Sequence, residues 1–331
     1  MLRSSNKADA SEIVAFLDEL SEQPWLDARK KAWPNYIYHF NDIRNIASVL
    51  QQGVLCSRER CRTSGISFID VADRLVVSES PWTHSYSRFY FRPHTPTQYL
   101  QEGIRPPSFR SNEAHCPVPV FLLFRSRELL IRSDIEFTDG NFGAAGHHGG
   151  SGRHGSAAFL RGMPWREIYH DEAFTPDQRS SVIYHRHAEV LCKDELDLTQ
   201  LDQIVCRSAA ERETLISLLG DSAEVWEPLV RLELPAERIF YRQWLHFEQV
   251  QLLGDTIQIR ARAPQGIQFA LHVKIWDEPG GRLIKDKAVT IPVFPPSFRI
   301  QIPEAIDSCF LTVEVEDGLA FQGRLSKRSL F

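Results

Sequence analysis

From Val250 onward the chain alternates apolar and polar residues in short runs: "DTIQIRARA", "IQFALHVKIW", "RLIKDKAVTI", "SFRIQI" and "CFLTVEVED". Alternation with period two puts successive side chains on opposite faces of a strand. It predicts a sandwich-like all-β module over 247–331, with "DEPGG" at 277–281 as a hairpin turn. Upstream the pattern changes. Ile13, Phe16, Leu17 and Leu20 recur at helical spacing, which predicts a helical extension within 1–35. "YIYHF" at 36–40 reads as a strand and 41–56 as a helix. Asn41 or Asp42 caps that helix, Ile43, Ile46, Val49 and Leu50 form its buried stripe, and Gly53 ends it. Further strands are expected at 88–91, 118–124 and 201–208, a strand and turn at 133–141, and an amphipathic helix at 209–219. Residues 36–246 therefore read as a mixed α+β unit.

Two residues break the pattern. "YHRHAEVLC" at 184–192 reads as a strand with Ala188, Val190 and Cys192 on one face and His187, Glu189 and Leu191 on the other. A carboxylate inside such a run is costly unless something pairs with it or uses it. His39 sits on an apolar strand directly before a helix, where helix N–H groups offer a place for ribose or phosphate oxygens. The bland alternative is a core histidine with its ring satisfied.

Residues 140–157, "GNFGAAGHHGGSGRHGSA", are glycine-rich and aperiodic, which predicts a mobile loop of the functional kind. His147, His148 and His154 raise a metal question, but no carboxylate or cysteine stands near them, and a structural zinc site needs four fixed ligands. No metal is expected.

Composition narrows the choices. With 43% hydrophobic and 24% charged residues, the 331-residue chain can bury a sizeable core. A net charge of −5 gives no global case for nucleic-acid binding. Arginines nevertheless cluster between 105 and 186, interleaved with Phe109, Phe142, Trp165 and Tyr169, the mixture of cations and stacking rings that single-strand grooves use. The six cysteines lack CxxC spacing, which argues against a disulfide framework and suits a reducing cytosol. No stretch approaches the roughly 20 apolar residues of a membrane span, and the first 25 residues lack the apolar core of a signal peptide. A cytoplasmic protein without a membrane partner is expected. Nucleotide-binding glycine loops of the Walker and Rossmann kinds are absent, as is a nucleophile elbow.

Read in order, "IYHFNDIRNIASVLQQGVLCS", "FYFRPHTPTQY", "FTDGN", "MPWREIY", "RHAEVLC" and "LDQIVCRS" resemble the DarT family over roughly 36–220. Its members are bacterial ADP-ribosyltransferase toxins that use NAD to modify bases of single-stranded DNA. The resemblance implies an α+β ADP-ribosyltransferase fold, with two small sheets clasping NAD in a cleft. It implies that His39 hydrogen-bonds the adenosine ribose with Asn41 beside it, that Phe89 and Tyr90 line the nicotinamide pocket, and that Glu189 is the catalytic carboxylate. An arginine assists it: Arg74 is the candidate and Arg88 its rival. Asn141, Arg153 and His154 would meet the substrate. The implied partners are single-stranded DNA, modified on thymine or guanine, and an ADP-ribosylglycohydrolase or macrodomain antitoxin, in a toxin or phage-defence role. Two alternatives stand beside this reading: a transferase acting on RNA or protein, and a degenerate core that only binds. Residues 247–331 lie outside the resemblance.

Overall fold

Residues 5–144, 152–302 and 306–327 are described by the structure, a computed structural model. The first strand, β1 (Tyr36–Asp42), runs straight into the helix Ile43–Gln52. Of the two possible caps, Asp42 takes the role: its carboxylate accepts the Arg44 N–H at 3.1 Å. The helix is shorter than its pattern suggested. Gly53 closes it with φ 70°, and 54–56 pair as a strand instead.

That strand is β2 (Val54–Cys56), followed by β3 (Tyr86–Tyr90), β4 (Pro119–Arg125), β5 (Ile135–Phe137), β6 (Glu189–Lys193), β7 (Glu195–Asp197), β8 (Leu201–Cys206) and β9 (Val230–Leu232). Seven of them form one sheet in the order β5-β6-β3-β1-β4-β8-β9, and β2 pairs with β7 apart from it. The sheet has a seam. β1 pairs with β4 along its entire length, but with β3 only at Tyr38 opposite Tyr90. The two small sheets expected from the sequence thus meet edge to edge: β5-β6-β3 on one side and β1-β4-β8-β9 on the other. The ladder between β1 and β3 is thus a single pair, and His39 Nδ1 takes the place of a further backbone partner by meeting the Arg88 carbonyl.

β4 is buried on both faces from Pro119 to Phe124, which explains its unbroken apolar run. The helix Ala10–Ser21 turns Ile13, Phe16, Leu17 and Leu20 into the same cluster as β1 and β4. Trp165 and Tyr169 also lie in it, beside Phe16, Trp25, Trp33 and Phe91. Phe142 is buried as well. Three of the four aromatics interleaved with the arginines are therefore core residues, and only Phe109 is exposed.

The region 184–192 differs from its expected strand. Tyr184 and His185 end the helix Arg179–His185, and the strand begins only at Glu189. Val182 and Tyr184 are the buried residues of that helix, so the apolar positions before Glu189 serve a helix face. The alternation that read as one strand spans two elements.

Beyond the core, β10 (His246–Leu253), β11 (Thr256–Arg262), β12 (Phe269–Trp276), β13 (Leu283–Ile291), β14 (Ser297–Gln301), β15 (Ser308–Val315) and β16 (Gly318–Ser326) build a three-stranded sheet β10-β11-β14 and a four-stranded sheet β13-β12-β15-β16. All pairings are antiparallel, with one apolar cluster formed largely by their inward faces. Ile104 and Ala210 of the preceding part belong to that cluster. Ser208 Oγ donates to the Phe247 carbonyl at 2.6 Å, and the Gln322 N–H donates to Thr214 Oγ1 at 3.1 Å. No helix among the described residues is long and apolar enough to cross a membrane.

Candidate active site at the sheet seam

Glu189 opens β6 directly opposite Tyr90 on β3. Alternation along β3 puts Arg88 on the same face as Tyr90. Arg88 grips the carboxylate with two bonds, Nε to Oε2 at 2.5 Å and Nη2 to Oε1 at 2.6 Å. Bidentate guanidinium–carboxylate pairs of this kind are strong and fix orientation. The Glu189 side chain is fully buried, whereas 29% of the Arg88 side chain is exposed, so the pair meets solvent through its arginine. Burial works against the Arg88 charge, but the adjacent carboxylate outweighs it and holds the guanidinium above its ordinary range.

The turn after β5 wraps the same glutamate. The Thr138 N–H donates to the Glu189 carbonyl at 2.8 Å, and the Glu189 N–H donates to Thr138 Oγ1 at 3.2 Å. The Thr138 hydroxyl donates in turn to the Gly140 carbonyl at 2.6 Å. A third donor, the Phe142 N–H, reaches Glu189 Oε1 at 3.2 Å. Asn141 donates its N–H to the Tyr184 carbonyl at 3.1 Å, and its side chain accepts the Gly143 N–H at 3.0 Å. This is what the "FTDGN" stretch does: it positions the N–H of the next residue, Phe142, on a buried carboxylate. Gly140 is required there, because a Cβ on it would lie 2.2 Å from Cε1 of Tyr184. Gly140→Ala should displace the turn, lower the melting temperature by several degrees and impair any activity of Glu189. Thermal unfolding and activity measured on the same variant check this, and an unchanged melting temperature would refute the packing argument.

Other polar groups converge from nearby. His39 Nδ1 lies 3.0 Å from the Arg88 carbonyl, across the seam where the ladder has opened. Burial pushes its pKa down to about 4, so the imidazole is neutral at neutral pH. Facing a carbonyl, Nδ1 carries the proton, which leaves Nε2 as an acceptor for a hydroxyl. His187, two residues before Glu189, is held between the Ile183 carbonyl at 2.9 Å and Thr97 Oγ1 at 3.0 Å, and burial lowers its pKa too. Tyr90 stacks on Phe40 with centroids 6.3 Å apart, and burial together with the Glu189 charge raises its pKa.

The expected residues thus separate into groups. Glu189, Tyr90 and His39 gather at the seam, joined by Arg88. Phe89 alternates away from Tyr90 into the core, against His39 and Phe124, so β3 offers the pocket only one of that pair. Asn41 is committed to the strand–helix corner, where its carbonyl oxygen accepts from the Asp42 N–H and from Asn45 Nδ2, both at 2.8 Å. Arg153 lies over the Tyr86 ring at 5.0 Å and pairs with Glu136 at 3.2 Å. Tyr86 in turn packs against Phe142, which puts Arg153 close to the turn around Glu189. His154 bridges to Phe137 and stacks on Phe159. Arg74 is different. Its side chain is 74% exposed at the start of the Arg74–Glu79 helix, and its ion pair is with Glu113 at 2.6 Å, not with Glu189. The Phe142 N–H, Thr97 and the clamp on His187 carry no residue-type signal in sequence. Among the described residues no His, Cys, Asp or Glu group could hold a metal ion, and His147 and His148 lie outside those residues.

A split mixed sheet with a clamped glutamate on one lip and a neutral histidine on the other is the frame of an α+β ADP-ribosyltransferase. Residues 38–237 match the family described as ssDNA thymidine ADP-ribosyltransferase, DarT, and the chain belongs to that family. It is accordingly an ADP-ribosyltransferase. No curated protein matches the sequence. Among solved structures the chain is similar to Thermus sp. 2.9 DarT in complex with ADP-ribosylated ssDNA, with a TM-score of 0.49 and 20% identity over 63% of this chain and 97% of that one. The same Thermus protein in complex with NAD+ gives a TM-score of 0.47 and 20% identity over 63% and 98%. Thermosipho africanus DarTG in complex with ADP-ribose gives 0.45 and 14% identity over 66% and 53%.

Proposed function

We propose that the chain transfers ADP-ribose from NAD to a thymine base of single-stranded DNA, with Glu189 and Arg88 as its working pair. The observation that carries this reading is the bidentate clamp of Arg88 on Glu189 at the seam, where His39 Nδ1 meets the Arg88 backbone carbonyl. The residues fit such a donor: an acceptor nitrogen on His39 for a ribose hydroxyl, a phenol at Tyr90, and a fixed carboxylate. NAD supplies the ADP-ribose unit and a nicotinamide leaving group. Glu189 provides negative charge where the ribose turns cationic, which stabilises the transition state more than the ground state. The same carboxylate can then take the proton from the ring nitrogen of the incoming base. Arg88 sets its orientation and is the member of the pair that meets the donor first. Asn141 and Arg153, next to the turn around Glu189, are the side chains assigned to the base and its phosphate.

We assign the transferase to residues 36–246 and an accessory role to 247–331. We further propose a toxin or defence role, restrained by a partner that removes ADP-ribose. The experiment is to incubate the full chain with NAD and oligonucleotides that contain or lack thymine. The expected result is a mass gain of one ADP-ribose unit on thymine-containing strands only. Gain on guanine-only strands would reverse the base assignment, and gain only on RNA or protein would overturn the substrate.

A further inference from the structure

Where the core meets the C-terminal module, a row of rings and guanidinium groups leads away from Glu189. It begins at Thr97, which holds His187 beside the site. Thr97 belongs to the helix Pro96–Gln101, and Tyr99, two residues and about 3 Å of helix rise further on, is 48% exposed. The Tyr241 ring lies 5.3 Å from Tyr99 and is stacked at 4.3 Å on His94. Arg105 donates to the Tyr99 carbonyl at 2.7 Å and covers the Trp244 ring at 4.8 Å. Trp244 packs against Phe109 at 5.4 Å, and Phe109 is 49% exposed.

We infer that this surface is a second single-strand-binding track, on which bases flanking the modified one stack. The inference rests on the proposed nucleic-acid substrate and extends it to residues outside the family match, since Tyr241 and Trp244 follow residue 237. Exposed rings that accept any base, as Tyr99 and Phe109 do here, are what sequence-tolerant strand binding uses, and the buried Arg105 fixes the rings between them.

The backbone under the track is held in place. The buried Glu102 carboxylate accepts the N–H of Tyr241 at 3.0 Å and of Arg242 at 2.8 Å. Gln98 holds the same stretch by donating to the Ile239 carbonyl at 2.8 Å. His94 and Arg242 adopt φ of 59° and 56°, conformations that cost free energy in non-glycine residues and gather where function needs them. At the head of the track His94 Nε2 and Arg186 Nε are buried without a hydrogen-bond partner among the described residues. Phosphate oxygens would supply partners to both.

The test is fluorescence anisotropy of labelled thymine oligonucleotides of about 4 and about 12 nucleotides on the full chain without NAD. Tyr99→Ala and Phe109→Ala are read separately, each with its melting temperature. Both side chains are exposed, so the fold should survive. Each variant should weaken the longer strand by roughly 5- to 100-fold, the range of one lost stacking contact, and leave the shorter one unchanged. Equal weakening at both lengths, no weakening, or equal binding of duplex would overturn the track. The chemistry is read separately in the mass assay: length-dependent binding without any DNA modification would sink the proposed function and leave the track standing.

Discussion

Glu189→Gln yields a folded protein whose transfer of ADP-ribose to DNA falls by about 10²–10³-fold, the loss typical when one preorganised group facing the transition state is removed. Glutamine keeps the shape and one acceptor, but its NH2 would face an N–H donor at the other position, so the variant removes the charge together with at least one hydrogen bond. Alanine would be a poorer choice. It would leave the Arg88 guanidinium beside a void, and breaking a buried pair from one side costs about 3–5 kcal/mol. Partial exposure of Arg88 lowers that cost through solvent screening. A rate from Glu189→Gln within threefold of the parent, at unchanged melting temperature, would remove Glu189 from the mechanism.

Arg88→Ala carries the second large effect, a loss of about 100-fold or more, while Arg74→Ala stays within about threefold. The difference follows from what each arginine holds. Among the described residues, Arg88 supplies two of the three hydrogen bonds that reach the Glu189 carboxylate, and the Phe142 N–H supplies the third. Arg74 pairs with Glu113 on the surface, where both partners are largely exposed. Arg88→Lys should fall between, because an ammonium cannot reproduce the planar two-bond fork. The measurement is initial rate on a thymine oligonucleotide at saturating NAD. A dead Arg74→Ala beside an active Arg88→Ala would transfer the assisting role to Arg74.

Some of this was legible in the sequence for physical reasons. The strand–helix unit at 36–52 announces itself through a capping aspartate, a 3.6-residue stripe and a terminal glycine, all local features. The β module shows because half-buried antiparallel strands alternate. Glu189 stood out because a charge in an apolar run needs an explanation. What stayed hidden depends on contacts far apart in the chain. Arg88 and Glu189 are 101 residues apart, and their pairing follows from β3 lying beside β6. Tyr184 and His185 looked like strand because short apolar runs fit both periods. Trp165 and Tyr169 looked like stacking platforms because composition does not separate a buried ring from an exposed one. Tyr241 and Trp244 carry no sequence signal, because they lie in a short connector without a periodic pattern.

The buried tie at Glu102 also bears on how the molecule comes apart. Its carboxylate serves the connector on one side and Arg207 on the other, and Arg207 is clamped by Glu211 of the helix that packs on the module. Loosening the module would strand charged groups inside the core, and loosening the core would strip cover from the module's apolar cluster. The two parts should therefore unfold in one cooperative event, seen as a single calorimetric transition, rather than hang like beads on a string. Swapping the module for that of a relative would have to carry the connector with it, including the two backbone N–H groups that Glu102 holds.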